Sequence, residues 1–309
     1  MKIAITGASG QFGRSATQSL IERGMSPADI ILITRSPQGL AGAAEQGCMV
    51  RQGDFDDREG LTVALAGAER MLMISGTRVG YREPQHLNAV EAAKAAGVGH
   101  IVYTSFIGTE PSNPSLAVKD HLFTEELLRS SGLAWTAMRD AQYAEAVVDA
   151  MGPLALAKGA MVNLALDGAM AFVSREDCVA SAVAVLSGSG HDNRAYDITG
   201  PDLLTRRQVA GLLADVTGRP VACVATDEAG MFAMFDAIGV PRKPVDGHVA
   251  SNFPWNSEDM VSFDVAVRDG HFAIVSDDVE RLTGRKPRTL RSLLEDNVDH
   301  LLAAAANVA

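Results

Sequence analysis

Cysteine is scarce in this chain, and its spacing excludes the usual disulfide and metal frameworks. The 309 residues contain three cysteines, Cys48, Cys178 and Cys223, which form no CxxC motif. Thiols spaced in this way are typical of reduced proteins rather than of secreted disulfide scaffolds. The seven histidines show no HExxH or other ligand spacing, so we expect no metal ion.

Long apolar runs and an excess of basic residues are also missing. No stretch is long and apolar enough to cross a bilayer, and no signal-peptide pattern precedes the first strand-like segment. The formal net charge of −11 argues against general binding to nucleic acid or to anionic membranes. We therefore expect a soluble, cytoplasmic protein with neither a nucleic-acid nor a membrane partner.

Short apolar runs and helix-like stretches alternate through the first half of the chain. The runs that predict strands are Lys2–Thr6, Ile30–Ile33, Cys48–Val50, Met71–Ile74, His100–Tyr103 and Ala134–Met138. The stretches that predict helices between them are 11–23, 58–66, 85–96 and 118–130. This alternation implies right-handed crossovers and an α/β fold with a doubly wound parallel sheet, the Rossmann arrangement.

The second half of the chain is less regular. It contains a predicted helix over 175–186, a strand over 195–199, a helix over 205–217 with Thr205 as its cap, and a long loop over 239–259. We predict a Rossmann domain formed by residues 1–152 and about 174–200. A smaller, irregular substrate lobe would comprise about 153–173 and 201–309.

A glycine motif lies between the first predicted strand and the first predicted helix. It reads Gly7-Ala-Ser-Gly10-Gln-Phe-Gly13, a GxxGxxG pattern. Glycines at these positions allow a sharp turn, close approach of the backbone to a pyrophosphate, and tight packing of helix on strand. The helix N-terminus then offers free N–H groups to the phosphates. The motif predicts a nicotinamide dinucleotide.

The residues at the end of the second strand indicate which dinucleotide. An NAD site usually has an acidic residue there, whereas this chain has Thr34-Arg35-Ser36. Arg35 can pair with a 2′-phosphate and Ser36 can donate to it. The alternative is that Arg35 stacks on adenine or is solvated. We expect NADP(H) rather than NAD(H).

Several segments together resemble the NmrA-like group of atypical short-chain dehydrogenases/reductases. They are Thr6–Gly13, Thr34–Pro37, Gly53–Asp57, Pro84–Asn88, Ala92–Val98, Tyr103–Ser105, His121–Gly132, Trp135-Thr136, Arg139, Tyr196–Gly200 and Leu282–Arg285. Within that group they are most similar to the branch of flavin-free quinone reductases and triphenylmethane-dye reductases. The resemblance implies a flavin-free NAD(P)H-dependent oxidoreductase and spans nearly the whole chain.

The resemblance also implies roles for individual residues. The pyrophosphate would be held by Gly7, Gly10, Gln11, Phe12 and Gly13, and the 2′-phosphate by Arg35. Asp54 and Phe55 would flank the adenine, and Ser75, Gly76 and Thr77 would line the ribose next to the nicotinamide. Thr104, Ser105 and Phe106 would lie under the nicotinamide.

The Tyr-x-x-x-Lys pair of short-chain dehydrogenases is missing from the helix after the fifth strand. His121 lies there instead, where the resemblance to isoflavone and lignan reductases implies a lysine. A histidine can donate a proton or a hydrogen bond near neutral pH; the alternative is that it orders the loop. Tyr143 is a second candidate donor, unless it is a half-buried aromatic, and Ser105 is a third catalytic candidate.

The substrate side departs from the branch. Residues 139–146 read Arg-Asp-Ala-Gln-Tyr-Ala-Glu-Ala and lack two asparagines of that branch. Met231–Phe235 and Phe253–Trp255 supply soft and aromatic side chains that suit a flat, apolar acceptor, although such a stripe is often simply core.

Two functions fit these residues. The first is an NADPH-dependent reductase that passes a hydride directly to a small aromatic or conjugated acceptor such as a quinone, an enone or a dye. The second is a non-enzymatic sensor that binds NAD(P) and acts through a protein partner. A homodimer is compatible with either.

Overall fold

The structure is a computed structural model that describes residues 1–243 and 256–308. The chain divides into two compact units, each built from several segments. The first unit consists of Met1–Phe106, Asp120–Arg139 and Cys178–Tyr196, and the second of Ile107–Lys119, Asp140–Asp177 and Asp197–Ala309. The boundaries drawn from the sequence differ most at residues 107–119 and 140–152. Their division into a cofactor domain and a substrate lobe stays a prediction.

Twelve strands and thirteen α-helices lie within the described ranges. The strands are β1 (Ile3–Thr6), β2 (Ile30–Thr34), β3 (Met49–Gln52), β4 (Arg70–Met73), β5 (His100–Phe106), β6 (Ala134–Asp140), β7 (Gln142–Tyr143), β8 (Ala160–Asn163), β9 (Ala169–Val173), β10 (Arg194–Ile198), β11 (Leu203–Thr205) and β12 (Ala222–Ala225). The helices are α1 (Gln11–Glu22), α2 (Ala41–Glu45), α3 (Arg58–Leu65), α4 (Glu83–Ala95), α5 (Leu116–Ser130), α6 (Gly152–Lys158), α7 (Arg175–Ser187), α8 (Arg206–Thr217), α9 (Glu228–Ala237), α10 (Ser257–Arg268), α11 (Asp278–Thr283), α12 (Leu290–Asp296) and α13 (Val298–Ala306). None of these helices is long and apolar enough to span a membrane.

The central sheet has seven strands in the order β3-β2-β1-β4-β5-β6-β10. The pairings of β1 with β2 and β4, of β2 with β3, and of β4 with β5 are parallel. All residues of β1 and β2 are buried, as expected for strands covered by helices on both faces. The predicted Rossmann fold is therefore confirmed.

The order of the strands defines a crevice at one edge of the sheet. The chain passes from β1 to β2 on one side, whereas β4 lies on the other side of β1. Ligands of such sheets bind at this reversal, beyond the carboxyl ends of the strands. Thr6 joins the two strand ends, because its hydroxyl donates to Leu72 O (3.2 Å) and accepts from Ile74 N (3.2 Å).

The second unit contains two small sheets, one in the order β11-β9-β7 and the other pairing β12 with β8. The predicted cap of α8 is confirmed, since Thr205 and Gln208 form a reciprocal capping box. Met231 and Phe235 are buried in a core cluster of this unit, so the geometry favours the core interpretation of that stripe. Phe253–Trp255 lie outside the described residues.

Candidate dinucleotide-binding site

Three glycines shape the turn between β1 and α1. Gly7 has a φ of +63°, a left-handed conformation that favours glycine. A methyl group at Gly13 would lie 2.6 Å from the Cα atom of Ala8, so only glycine lets α1 pack against the turn. Among the described residues, a methyl group at Gly10 would approach only the Gly7 carbonyl oxygen, at 3.3 Å. The outer side of the turn is therefore open.

The N-terminus of α1 faces this open side with unpaired amides. Gly10 is the N-cap and provides no side-chain cap. Within the described part of the chain, the N–H groups of Gln11, Phe12 and Gly13 have no acceptor. Free amides at a helix N-terminus bind phosphate oxygens. The turn therefore fits a dinucleotide pyrophosphate.

The end of β2 carries an exposed cation beside the glycine turn. The hydroxyls of Thr34 and Ser9 lie 2.9 Å apart and join the two segments. Arg35 and Ser36 follow, and both are exposed. Arg35 forms no ion pair or hydrogen bond with any residue that the structure describes. Its guanidinium is thus available to a ligand.

The predicted adenine residues lie in the turn after β3. Phe55 is half-buried, packs against the apolar core of the first unit and meets His86 edge-on at 6.1 Å. Asp54 shapes the turn, because one carboxylate oxygen accepts the N–H of Asp56 at 3.1 Å. One turn therefore holds both predicted residues.

The loop after β4 is joined to β5 and to α4. The N–H of Ser75 donates to the Thr104 hydroxyl at 2.9 Å, and the N–H of Gly76 donates to His86 Nε2 at 3.1 Å. Thr77 is exposed at the tip. The predicted residues at the ends of β4 and β5 are thus brought together at the crevice edge.

His121 is buried, and both of its ring nitrogens have partners. Arg82 Nη1 lies 3.0 Å from Nε2, and Tyr103 Oη lies 2.7 Å from Nδ1. Arginine can only donate, so Nε2 accepts and the proton of the neutral ring is on Nδ1, directed at Tyr103. The Phe106 ring stacks on His121 at 6.1 Å. The geometry thus favours the interpretation in which His121 orders its surroundings.

His86 meets the Tyr103 ring edge-on at 5.6 Å, and both of its ring nitrogens also have partners. The Thr124 hydroxyl donates to Asp120 O at 2.7 Å, so it accepts from His86 Nδ1, also at 2.7 Å. His86 Nε2 is therefore the acceptor for Gly76. We call Arg82, His86, Tyr103, His121 and Thr124 the histidine network.

Burial keeps both histidines of the network neutral. It lowers the pKa of His86 to about 3, and the charge of Arg82 adds to this effect. The pKa of His121 is well below its usual value, first because of burial and then because of Arg82. Burial also raises the pKa of the Tyr103 hydroxyl. The predicted role of His121 as a proton donor near pH 7 therefore has no support in this geometry.

Ser105 is hydrogen-bonded to a buried ion pair. Its hydroxyl donates to Glu125 at 2.7 Å, and Arg139 binds the same carboxylate with two nitrogens, at 2.9 and 2.7 Å. Arg129 adds a third cationic contact at 2.6 Å. Burial alone would raise the pKa of Glu125, but Arg139, Ser105 and Arg129 together hold it below the usual value. Ser105 therefore orients the Glu125 side chain, which stays ionised.

Tyr143 belongs to the second unit. Its hydroxyl donates to Asp140 at 3.0 Å, and the Arg175 guanidinium lies 5.5 Å from the centre of its ring. It is half-buried. Its predicted role as a donor to substrate stays a prediction.

Sequence reasoning assigned no role to Arg82, His86, Thr124 or Glu125. His86 and Glu125 lie in segments that carry the family resemblance, and both are completely buried. The available signal for His86 was its place in the segment Pro84–Asn88, which carries the resemblance. In the described ranges, no group of three or more His, Cys, Asp or Glu residues could hold a metal ion.

Fold and site together define a dinucleotide-binding protein of the Rossmann class. A sequence profile of the NAD(P)H-binding family matches residues 7–188. The chain belongs to that family, and as predicted it is an oxidoreductase of the NmrA-like group of short-chain dehydrogenases/reductases.

Two characterised relatives match most of the chain. Quinone oxidoreductase 2 of Escherichia coli is 39% identical over 239 residues, which cover 77% of this chain and 82% of that protein. The (4-alkanoyl-5-oxo-2,5-dihydrofuran-3-yl)methyl phosphate reductase of Streptomyces griseus is 31% identical over 290 residues, which cover 94% of this chain and 95% of that protein.

Two crystal structures are similar over nearly the full length. The Escherichia coli NADPH-dependent quinone oxidoreductase in complex with NADPH has a TM-score of 0.86 at 34% identity, covering 97% of this chain and 99% of that chain. The Citrobacter triphenylmethane reductase complexed with NADP(H) has a TM-score of 0.83 at 29% identity, covering 96% of this chain and 100% of that chain.

Proposed function

We propose that the protein is an NADPH-dependent reductase that transfers a hydride directly to a conjugated, electron-poor acceptor such as a quinone, an enone or a dye. The names of its Escherichia coli, Streptomyces and Citrobacter relatives support a conjugated carbonyl or dye acceptor. The absence of flavin and metal, the cytoplasmic location and the homodimer stay predictions.

The preference for NADPH rests on one observation. Arg35 is exposed at the end of β2 and has no carboxylate or other partner among the described residues. A solvated guanidinium without a partner can bind the 2′-phosphate, which NADH lacks. Ser36 would supply a hydroxyl to the same group.

The other residues would hold the cofactor along the crevice. The open turn at Gly10 and the free amides of α1 would bind the pyrophosphate. Asp54 and Phe55 would flank the adenine, and the loop of Ser75, Gly76 and Thr77 would line the second ribose. The bound dihydronicotinamide supplies the hydride.

The roles of the catalytic candidates follow from their partners. Thr104 and Phe106 would support the nicotinamide, and Ser105 would fix the end of β5 through Glu125. His121 would be a positioning residue, because it is neutral and both of its nitrogens are occupied. Tyr143 stays a candidate proton donor. A quinone that accepted the hydride would also need one proton, from water or from a side-chain donor, whereas a cationic dye would need none.

Substitution of Arg35 tests the cofactor preference. Arg35→Ala should weaken NADPH binding by about 10- to 100-fold, since it removes a charge-assisted bidentate contact, and should leave NADH nearly unchanged. Fluorescence titration of both cofactors measures this. Arg23→Ala, at the exposed end of α1, is the matched control for the lost charge. Equal weakening of both cofactors by Arg35→Ala would overturn the assignment.

A panel of quinones, enones and cationic dyes tests the reaction. Steady-state oxidation of NADPH with at least one class is the expected result. Tight NADPH binding without turnover of any acceptor would favour a sensor that acts through a protein partner.

A further inference from the structure

Arg14 connects the two segments that form the proposed phosphate site. It lies in the first turn of α1, one residue after the last glycine of the motif. Its Nε donates to the carbonyl of Ser9 in the glycine turn at 2.8 Å, and its Nη2 donates to the carbonyl of Gly39 at 2.6 Å. The Gly39 amide in turn donates to Ser36 O at 3.1 Å. The Arg14 guanidinium is therefore fixed beside the loop that carries Ser36.

The fixed guanidinium keeps its charge and most of its donors. Arginine has five N–H donors, and the two hydrogen bonds of Arg14 to described residues go to neutral carbonyls. Within the described residues, Arg14 forms no ion pair. Arg35 on the other flank of Ser36 has no ion pair either. Two cations without a carboxylate partner therefore flank one exposed hydroxyl, in a chain whose net charge is −11.

This arrangement suits a dianion. A 2′-phosphate carries close to two negative charges and three acceptor oxygens. A single exposed arginine balances one charge, whereas a second arginine held in place by backbone carbonyls balances the other without losing side-chain freedom on binding.

We propose that Arg14 is a specificity-determining residue, the second cation of the 2′-phosphate site beside Arg35. The proposal rests on the NADPH preference proposed above. Through its bonds to Ser9 and Gly39, Arg14 also sets the spacing between the glycine turn and the loop after β2.

The charge of Arg14 and its effect on the spacing of the two segments can be separated by measuring the binding of two small ligands. Adenosine 2′,5′-bisphosphate carries the 2′-phosphate, and AMP, which has the same 5′-phosphate, does not. Calorimetric titration of wild type should show tighter binding of the bisphosphate. Arg14→Gln keeps a donor for one carbonyl and removes the charge. It should weaken binding of the bisphosphate by about tenfold or more while changing AMP affinity less than about threefold. The preference of wild type should also fall with added salt more steeply than that of the variant.

Three further variants make the test decisive. Arg14→Lys keeps the charge and should retain part of the preference. Arg23→Gln removes a charge from the other end of the same helix and should leave the preference unchanged. Arg35→Ala should lower the preference on its own.

The outcomes distinguish this inference from the proposed function. If Arg14→Gln weakens the binding of both ligands equally, or of neither, Arg14 has no role in recognising the 2′-phosphate. The inference is then overturned, while the NADPH preference stands. If wild type binds the bisphosphate no better than AMP, the NADPH preference fails as well.

Discussion

Two regions of the first unit differ in how many of their hydrogen-bonding groups already have partners. The phosphate side, formed by the glycine turn and the end of β2, has free amides at α1 and an exposed Arg35 without a partner among the described residues. In the histidine network, both nitrogens of His86 and of His121 are occupied. One region is open to solvent and the other is buried.

The difference indicates which residues bind and which residues support. A free, solvated donor gives up only water when a phosphate arrives. A buried group that is already paired would leave its partner unsatisfied if it turned to a ligand, at a cost of about 1–3 kcal/mol. The phosphate side is therefore suited to bind the cofactor, and the histidine network is suited to hold the loop after β4 in one conformation.

The largest effect is expected from a substitution in the glycine turn of the phosphate side. Gly10→Val should abolish NADPH binding, because the side chain would occupy the open outer face of the turn. The fold should survive, since Gly10 has φ −73° and ψ 168°, an extended conformation that valine adopts readily. Fluorescence titration measures the NADPH affinity, and thermal unfolding measures whether the fold is intact.

Gly13→Ala is the contrasting variant. Its methyl group would lie 2.6 Å from Ala8 Cα, so it should lower the unfolding temperature. Retained NADPH affinity in a folded Gly10→Val protein would show that the glycine turn is not the site.

The two regions also differ in how well the sequence predicts them. The phosphate side follows from the local sequence. A buried strand, three spaced glycines and a helix position Gly7 to Gly13 through contacts between neighbours in the chain. The histidine network depends on side-chain contacts between three successive elements, with partners 18 to 39 positions apart in the chain. Periodicity carries no information on such contacts, so it could not identify Arg82 or Thr124, and it left the choice between a donor role and an ordering role for His121 open.

A second prediction tests whether the histidine network donates protons. His121→Ala should lower turnover by about tenfold, by the same factor for a quinone and for a cationic dye, because a neutral His121 only positions its neighbours. NADPH affinity should change little. His121→Asn can still donate to Tyr103 and should recover part of the activity.

Steady-state kinetics with menadione and a triphenylmethane dye provide the comparison. A much larger loss for the quinone than for the dye would restore His121 as the acid, and no loss for either would remove it from the site.

A third, smaller effect separates the two bonds of His86. The amide of Gln can reach the position of Nε2 and accept from Gly76, whereas the amide of Asn reaches only the position of Nδ1 and donates to Thr124. His86→Asn should therefore raise the KM for NADPH by about fivefold, the value of one hydrogen bond, and His86→Gln should change it less.

Hydrogen exchange at residues 75–77 gives a readout that does not depend on activity. Exchange should become faster in His86→Asn than in His86→Gln. The opposite order would mean that the bond to Thr124, and not the bond to Gly76, fixes the loop.

The smallest effect concerns stability and pH. The pKa of His86 in the folded protein is about 3, while an exposed histidine titrates near 6.5. Between these values the unfolded chain binds a proton that the folded chain does not, so stability from this residue is complete above pH 6.5 and is lost as pH falls towards 3.

Relative to His86→Gln, which cannot titrate, wild type should lose about 1.4 kcal/mol per pH unit well below pH 6.5. Urea unfolding of both proteins at pH 5.5 and 4.5 measures the difference, in which the shared carboxylates cancel. A difference that stays constant with pH would mean that His86 is protonated in the folded protein, and the proton arrangement assigned to the histidine network would be wrong.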